Sequence, residues 1–273
     1  MTAEQPQRIE LTVEVDGPGK AVDLLSQHTG LSKGRIKEAM TKGAVWLHVE
    51  GRTARLRRAS RAVSAGQQLS IYYDPSILDA MPPAPQMLAD QQAYSVWYKP
   101  ADLWSSGSRF GDHHALARWV EGHLDRPTLL VHRLDRATRG LMVVAHQKRS
   151  AGHLAQQFRA RETSKIYQAR VHGALLAEVT QTHPIEGKSA VSHVRPHHHD
   201  ANTTWVSVQI ETGRKHQIRR HLAELGHPVV GDTLYGAAEQ PRRLELVAVQ
   251  LGFVCPQAET PVEYRLPQDL LLF

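Results

Sequence analysis

The sequence has a single cysteine, Cys255, among 273 residues, and this scarcity excludes an internal disulfide. One thiol without a repeated spacing also cannot form a structural zinc site. No segment approaches the roughly 18 consecutive apolar residues that a membrane-spanning helix needs. Residues 1–10 lack the cationic start and apolar stretch of a secretion signal. We therefore expect a soluble, unsecreted protein in a reducing, cytoplasmic compartment.

Charge is unevenly distributed along the chain. The formal net charge is +6, which suggests a polyanionic partner but does not by itself establish one. Residues 31–61 contain nine Lys or Arg and only two acidic residues, so the local excess is larger than that of the whole chain. This concentration favours a nucleic-acid-binding surface in the N-terminal part, with an ordinary solvated face as the alternative.

The N-terminal part has the pattern of a small helical and stranded module. Residues 21–43 predict two short helices, because apolar residues recur at helical spacing. Ser32 is a plausible N-cap of the second helix, and Gly43 ends it. Alternating apolar residues then predict strands over 45–49 and 69–73.

Prolines mark the predicted domain boundary. Four prolines fall between residues 75 and 85, in a stretch with few aromatic residues, which is typical of a linker. We predict a small N-terminal domain over residues 1–75, a linker over 76–92 and a second domain over 93–273.

One carboxylate lies in a strongly cationic segment. Asp135 has Arg133, Arg136 and Arg139 as close neighbours, between two apolar segments that predict buried strands. The polar residues therefore occupy a bend between these strands. Without other information, an aspartate at such a bend would be interpreted as a turn cap.

Three segments of the second domain resemble one family. Residues 132–141, His-Arg-Leu-Asp-Arg-Ala-Thr-Arg-Gly-Leu, closely resemble the H-R-L-D-x-x-T-S-G-L signature of the RluA group of pseudouridine synthases. Residues 165–173 are similar to the K-x-Y-x-A-x-x-x-G strand of that family, and residues 212–222 to its T-G-R-x-H-Q-I-R-x-H-L segment. Arg139 departs from the signature, which usually has serine there.

The resemblance implies an α+β fold with a mixed, mainly antiparallel sheet, flanking helices and loops. It also implies that Asp135 is the nucleophile, that Tyr167 is the active-site tyrosine and that Arg219 pairs with Asp135. Taken singly, Tyr167 would be interpreted as a core aromatic and Arg219 as a solvated side chain. Tyr167 is a candidate to stack on the flipped uracil and to take its C5 proton. Residues 212–213 are predicted to start the helix that carries Arg219.

The N-terminal module resembles a second family. Residues 31–37, 42–45 and 65–67 are similar in order and composition to an S4 RNA-binding domain, a small α/β module. That resemblance implies that the basic second helix and the following hairpin contact the RNA backbone. Our RNA-binding candidates are Lys33, Arg35, Lys37, Arg57 and Arg58 in this module, and Arg133, Lys165 and Arg214 in the second domain.

Two other functions compete with this interpretation. A catalytically silent RNA-binding or assembly factor would be indicated by loss of Asp135, Tyr167 or Arg219, and all three are present. A metal-dependent hydrolase is suggested by 17 histidines, but the cluster at 193–199 predicts a mobile surface loop without a completing carboxylate. We predict a monomeric RNA pseudouridine synthase, an isomerase that needs no cofactor or metal and acts on ribosomal RNA, or alternatively on transfer RNA.

Overall fold

The computed structural model describes residues 7–81, 83–236 and 243–273. Its strands are β1 (Ile9–Glu14), β2 (Gly19–Lys20), β3 (Val45–Val49), β4 (Arg52–Arg55), β5 (Ala62–Val63), β6 (Gln68–Tyr73), β7 (Gln86–Asp90), β8 (Tyr94–Lys99), β9 (Leu129–Leu130), β10 (Arg139–Ala145), β11 (Ser164–His172), β12 (Val179–Gln181), β13 (Ser192–His199), β14 (Thr203–Ile210), β15 (Leu246–Val254) and β16 (Pro261–Arg265). Its helices are α1 (Ala21–Thr29), α2 (Lys33–Thr41), α3 (Pro75–Leu78), α4 (Leu116–Leu124), α5 (Lys148–Ala160) and α6 (Gln217–Glu224), with a 3₁₀ turn at Gln268–Leu270. Within these ranges, no helix is both long enough and apolar enough to span a bilayer.

The chain forms two compact units. The first combines residues 7–81 with residues 106–119, and the second combines residues 83–105 with residues 120–236 and 243–273. Residues 106–119 therefore belong to the first unit, although the sequence placed them in the second domain. Polar contacts explain this difference, because Arg55 donates to the Ser108 carbonyl at 2.8 Å and Arg57 donates to Asp112.

In the first unit, α1 and α2 pack on the antiparallel sheet β1-β6-β3-β4. The predicted helices and strands are confirmed. Ser32 caps α2 as predicted, since its side chain accepts a hydrogen bond from the Arg35 backbone N–H at 3.3 Å. Gly43 follows α2 with φ +80°, a conformation that glycine adopts without strain. Large buried residues of this core include Leu25, Ile36, Met40, Leu69, Ile71 and Tyr73.

The second unit is built on a ten-stranded sheet. Its strand order is β12-β13-β14-β11-β15-β10-β8-β7, with β16 paired to β15 and β9 paired to β10. The pair β10 and β15 is parallel, and the other pairs of this sheet are antiparallel. Residues of α5 and α6 pack against two separate apolar clusters of this sheet. The predicted fold class, α+β with a mainly antiparallel sheet, is confirmed.

The predicted linker over residues 76–92 is wrong at both ends, and at its start α3 places Leu78 in the core of the first unit. Residues 86–90 form β7, which pairs with β8 at one edge of the large sheet. The prolines did not prevent this, because Pro83 and Pro85 precede the strand and take no part in its ladder. Pro82 lies outside the described residues.

The predicted histidine loop is also wrong, because residues 192–199 form β13. Pro196 lies at a register shift between β13 and β14, a position where a strand tolerates proline. His198 stacks on Trp205 with ring centroids 4.2 Å apart, and His197 Nε2 lies 2.9 Å from Ser207 Oγ. Pairing with β14 therefore orders these histidines.

Candidate active site

Asp135 lies in the segment that joins β9 to β10, and anchors on both sides hold this segment. Ser105 Oγ donates to the Leu134 carbonyl at 2.7 Å and accepts from the Leu134 N–H at 3.0 Å. On the far side, the Thr138 N–H donates to the Asp135 carbonyl at 3.1 Å. The Asp135 side chain keeps 24% of its surface exposed, so the backbone is fixed while the carboxylate remains accessible.

His132, three residues before Asp135, anchors the same segment to β10 and α5. Its Nε2 accepts a hydrogen bond from the Val143 N–H at 3.0 Å, and its ring stacks on Phe158 with centroids 4.4 Å apart. Burial lowers the pKa of His132 to about 3, with a smaller contribution from Lys165. The imidazole is therefore neutral at physiological pH, as its role as an acceptor requires.

Lys99 is a buried cation next to the Asp135 segment, and no role was predicted for it from the sequence. Its Nζ donates to the carbonyls of Pro100, Leu103 and Arg136 at 2.9, 2.8 and 3.2 Å. Burial lowers the pKa of Lys99 to about 7, while the nearby carboxylates of Asp135 and Asp102 favour its charged form. Because Arg136 directly follows Asp135, Lys99 fixes the backbone of the candidate nucleophile. The sequence signal for this role was a lysine at the end of an otherwise apolar strand.

Gly140 permits the close approach of β10 and β15. It has φ +126°, and a Cβ built on it would lie 2.3 Å from the Ala248 carbonyl oxygen and 2.4 Å from its nitrogen. Both contacts are with backbone atoms, so a rotamer change cannot relieve them. The glycine of the signature therefore brings the strand after Asp135 against β15.

Replacing Gly140 with alanine should reduce the free energy of unfolding by at least about 2 kcal/mol, because the sheet must open to admit the methyl group. Urea denaturation measures this loss. The matched control is Gly152→Ala in α5, where no atom lies within 4 Å of the added Cβ. That change should be neutral or stabilise the protein by up to about 1 kcal/mol. If both substitutions changed the free energy of unfolding equally, the close approach of β10 and β15 would be contradicted.

Asp135, Tyr167 and Arg219 line one cavity of about 330 Å³, which we call the Asp135 cavity. Its size lies at the lower end of the range for small-ligand pockets. The structure therefore brings together the three residues that the resemblance singled out, from the segment after β9, from β11 and from α6. Arg133 and Arg214, two of the RNA-binding candidates, line the same cavity.

Tyr167 lies at an irregularity in the pairing of β11. The pairing between β11 and β15 shifts register between Ile166 and Tyr167, as happens at a β-bulge next to a functional site. Burial, together with the negative charge of Asp135, raises the pKa of Tyr167 well above its usual value. Its phenol is therefore protonated, which suits it for stacking. The predicted transfer of the C5 proton to this side chain stays a prediction.

The predicted pairing of Arg219 with Asp135 is wrong. The Arg219 guanidinium donates to both carboxylate oxygens of Asp232, at 2.7 and 2.6 Å. Asp232 is buried and also accepts from the backbone N–H groups of Leu234 and Tyr235. Burial alone would lower the pKa of Arg219, but Asp232, with a smaller contribution from Asp135, raises it. Arg219 thus acts on Asp135 through its charge, while its hydrogen bonds hold residues 231–236.

The His216 imidazole lies beside Asp135 and would form an ion pair with it only when protonated. Its Nε2 lies 3.8 Å from Asp135 Oδ1, and its Nδ1 lies 2.9 Å from the Tyr235 hydroxyl. His216 has φ +54°, so α6 begins at Gln217 and not at the predicted Thr212. Burial lowers the pKa of His216, although Asp135 opposes this shift. His216 lies within the third segment, residues 212–222, and no role was predicted for it from the sequence.

The family model described as RNA pseudouridylate synthase matches residues 93–224. The chain is 31% identical over 263 residues to ribosomal large subunit pseudouridine synthase D of Escherichia coli O6:H1, across 86% of this chain and 79% of that protein. The chain belongs to the RNA pseudouridine synthases of the RluA type. It is also 35% identical over 185 residues to the dual-specificity RNA pseudouridine synthase RluA of Vibrio vulnificus, across 59% of this chain and 74% of that protein.

A solved structure has the same fold. Human RNA pseudouridylate synthase domain containing 1 superposes with a TM-score of 0.60 at 26% identity, covering 70% of this chain and 88% of that one. Members of this family are isomerases, so the predicted enzyme class is confirmed.

The RNA-binding candidates of this pseudouridine synthase differ in their availability. In the first unit, Lys33 pairs with Asp23 at 2.6 Å, Arg35 binds both oxygens of Asp79, and Arg57 pairs with Asp112. Lys37 and Arg58 are exposed and form no ion pair within the described part of the chain. Arg133, Lys165 and Arg214 lie in the second unit, around the Asp135 cavity or beside it. Their roles in binding RNA remain predictions.

Two further features of this synthase concern its histidines and Arg139. In the ranges that the structure describes, no three His, Cys, Asp or Glu side chains lie close enough together to hold a metal ion. Arg139 is the first residue of β10, and its Nε is buried without a hydrogen-bond partner among the described residues. Nothing in the structure explains why arginine replaces serine here.

Proposed function

We propose that this chain isomerises specific uridines in structured RNA to pseudouridine, with Asp135 as the nucleophile. Ribosomal RNA is the favoured substrate and transfer RNA the alternative. The proposal rests on the position of Asp135, which lies in one cavity with Tyr167 and Arg219. Its carboxylate is accessible, and its segment is anchored at Leu134 and Arg136. The relative from Escherichia coli that is named for the ribosomal large subunit supports the preference for ribosomal RNA.

The chemistry fits a carboxylate nucleophile. The reaction breaks the bond from N1 to C1′, turns the base, joins C5 to C1′, loses the C5 proton and gains a proton at N1, so the product is an isomer of the starting uridine. A carboxylate can add to the nucleoside and leave again. The positive charges of Arg219 and Arg133 at the Asp135 cavity attract the RNA strand.

The target uridine must leave the base stack to reach Asp135, and flipping costs on the order of a few kcal/mol. Arg133 is exposed beside the Asp135 cavity and is the candidate for filling the vacated space or holding a phosphate. Tyr167 supplies the aromatic surface on which the flipped uracil stacks.

Replacing Tyr167 with phenylalanine should therefore reduce kcat less than about 10-fold, because the ring remains. Tyr167→Leu should reduce kcat by about 10- to 100-fold, since base stacking on an aromatic side chain contributes about 1–3 kcal/mol. Single-turnover release of tritium from RNA labelled at uridine C5 measures both rates. If Tyr167→Phe were as inactive as Tyr167→Leu, the hydroxyl would be the active part and the stacking role would be wrong.

Mapping pseudouridines in ribosomal and transfer RNA, with and without this gene, tests the proposed substrate. We expect one or a few ribosomal uridines to lose modification in the deletion strain and to regain it when the wild-type gene is restored. Loss confined to transfer RNA would establish the alternative substrate. Identical maps in both strains would overturn the proposed activity and support the catalytically silent RNA-binding factor.

A further inference from the structure

A second cavity, of about 520 Å³, shares a wall with the Asp135 cavity. We call it the Lys165 cavity. The shared wall consists of Arg133, Tyr167, Ile210, Gly213 and Arg214. The remaining lining comes mainly from the C-terminal end of α5, the following turn and the start of β11. A nucleotide in the Asp135 cavity would therefore have this second cavity as its immediate neighbour.

The Lys165 cavity is strongly cationic. Its lining includes five basic side chains, namely Arg133, Arg159, Arg161, Lys165 and Arg214. The acidic side chain among the lining residues, Glu211, is engaged by His193, whose Nε2 lies 2.9 Å from Glu211 Oε1. Within the described ranges, no carboxylate forms an ion pair with Arg133, Arg159 or Arg161. The cavity thus holds an excess of positive charge in the free protein.

Lys165 is the unusual member of this group, because it is only 8% exposed. In the part of the chain that the structure describes, its ammonium has no hydrogen-bond or ion-pair partner. Burial and the charge of Arg161 both lower the pKa of Lys165. Withdrawing an ammonium from water without a counter-charge is unfavourable, so a bound anion would stabilise this arrangement.

The walls indicate what kind of anion fits. The stacked ring of His132 covers one face of the Phe158 ring. Guanidinium and ammonium groups that converge on one cavity match a phosphate, which accepts several charge-assisted hydrogen bonds. Because this cavity adjoins the Asp135 cavity, the anion can belong to the same RNA strand as the target uridine.

We propose that the Lys165 cavity is a phosphate subsite, which binds a phosphodiester adjacent to the uridine held in the Asp135 cavity. This inference rests on the proposed function, since it takes RNA as the ligand. Lys165 then contributes to binding of the strand and not to the chemical step.

Binding of uridine 3′,5′-bisphosphate and of uridine to the full chain tests this subsite, by calorimetry at low salt. We expect wild-type protein to bind the bisphosphate at least about 10-fold more tightly than uridine. Lys165→Gln should lose most of this difference, because a charge-assisted hydrogen bond contributes about a 10-fold effect or more. The matched control is Lys148→Gln, since Lys148 is exposed on α5 and lines neither cavity; its affinity should stay within about twofold of the wild type.

Thermal unfolding supplies a second measurement that does not depend on affinity. Lys165→Met removes a buried, unpaired charge, so its melting temperature should equal or exceed that of the wild type. Inorganic phosphate at high concentration should raise the melting temperature of the wild type more than that of Lys165→Met. The subsite would be overturned if Lys165→Gln bound the bisphosphate like the wild type, or if phosphate stabilised both proteins equally.

These measurements separate the subsite from the proposed function. The Asp135→Asn protein should retain Lys165-dependent binding of the bisphosphate although it lacks turnover. Lys165-dependent binding without isomerisation by the wild type would overturn the proposed function alone. Isomerisation with a bisphosphate affinity that is insensitive to Lys165 would overturn the subsite alone.

Discussion

Replacing Asp135 with asparagine should lower the single-turnover rate of uridine isomerisation by at least about 10⁴-fold, while RNA affinity stays within about threefold. The substitution keeps the shape of the side chain but removes the negative charge that attacks the nucleoside. The anchors of the Asp135 segment involve Ser105, Thr138 and backbone atoms, so they remain in place. Rapid mixing of excess enzyme with RNA labelled at uridine C5 separates the chemical step from binding.

The matched control for this change is Asp102→Asn. Asp102 is exposed, lies 3.8 Å from Arg136 Nε and has φ +66°, a conformation that asparagine tolerates. This variant should keep the wild-type rate within about twofold. If Asp135→Asn retained a rate similar to that of Asp102→Asn, Asp135 would not be the nucleophile.

Replacing Asp232 with alanine should reduce the free energy of unfolding by roughly 3–5 kcal/mol, because it leaves a buried arginine without its partner. The side chains of Arg219 and Asp232 are 9% and 0% exposed. The substitution also removes the acceptor for the N–H groups of Leu234 and Tyr235. Urea denaturation measures the loss.

Two further variants show whether the unpaired charge is the cause. Removing both partners, in Arg219→Met with Asp232→Ala, should recover much of the lost stability. Glu263→Ala removes one partner of an exposed pair, Arg265 and Glu263, and should cost no more than about 1 kcal/mol. If Asp232→Ala and Glu263→Ala lost the same free energy of unfolding, the claim that a buried pair holds α6 would be contradicted.

Local patterns were sufficient for α1, α2, β3 and β6 of the first unit. Helical spacing and the Ser32 cap define α1 and α2, because each signal depends on residues within one or two turns. The two strands that flank Asp135 were also indicated by short apolar segments. The convergence of Asp135 and Tyr167 was different, since Asp135 lies in the segment between β9 and β10 and Tyr167 lies in β11. Only the family resemblance indicated that they share a cavity.

The errors concern choices that tertiary packing makes. The Arg219 guanidinium binds the buried carboxylate of Asp232 and not that of Asp135. Pro-rich composition indicated a linker, but pairing with β8 supplied hydrogen bonds that make residues 86–90 a strand. Lys99 has the sequence of an ordinary strand end, and its burial depends on carbonyls from two other segments. None of these partners lies near enough in sequence to be identified from local patterns.

The most direct test of the central claim uses purified protein with ribosomal and transfer RNA from a strain that lacks the gene. Pseudouridine formed in the presence of a metal chelator is detected by carbodiimide labelling and primer extension. We predict that wild-type protein and Asp102→Asn form pseudouridine at the same positions, and that Asp135→Asn forms none. Pseudouridine formed equally by Asp135→Asn, or none formed by the wild type on either RNA, would contradict the account.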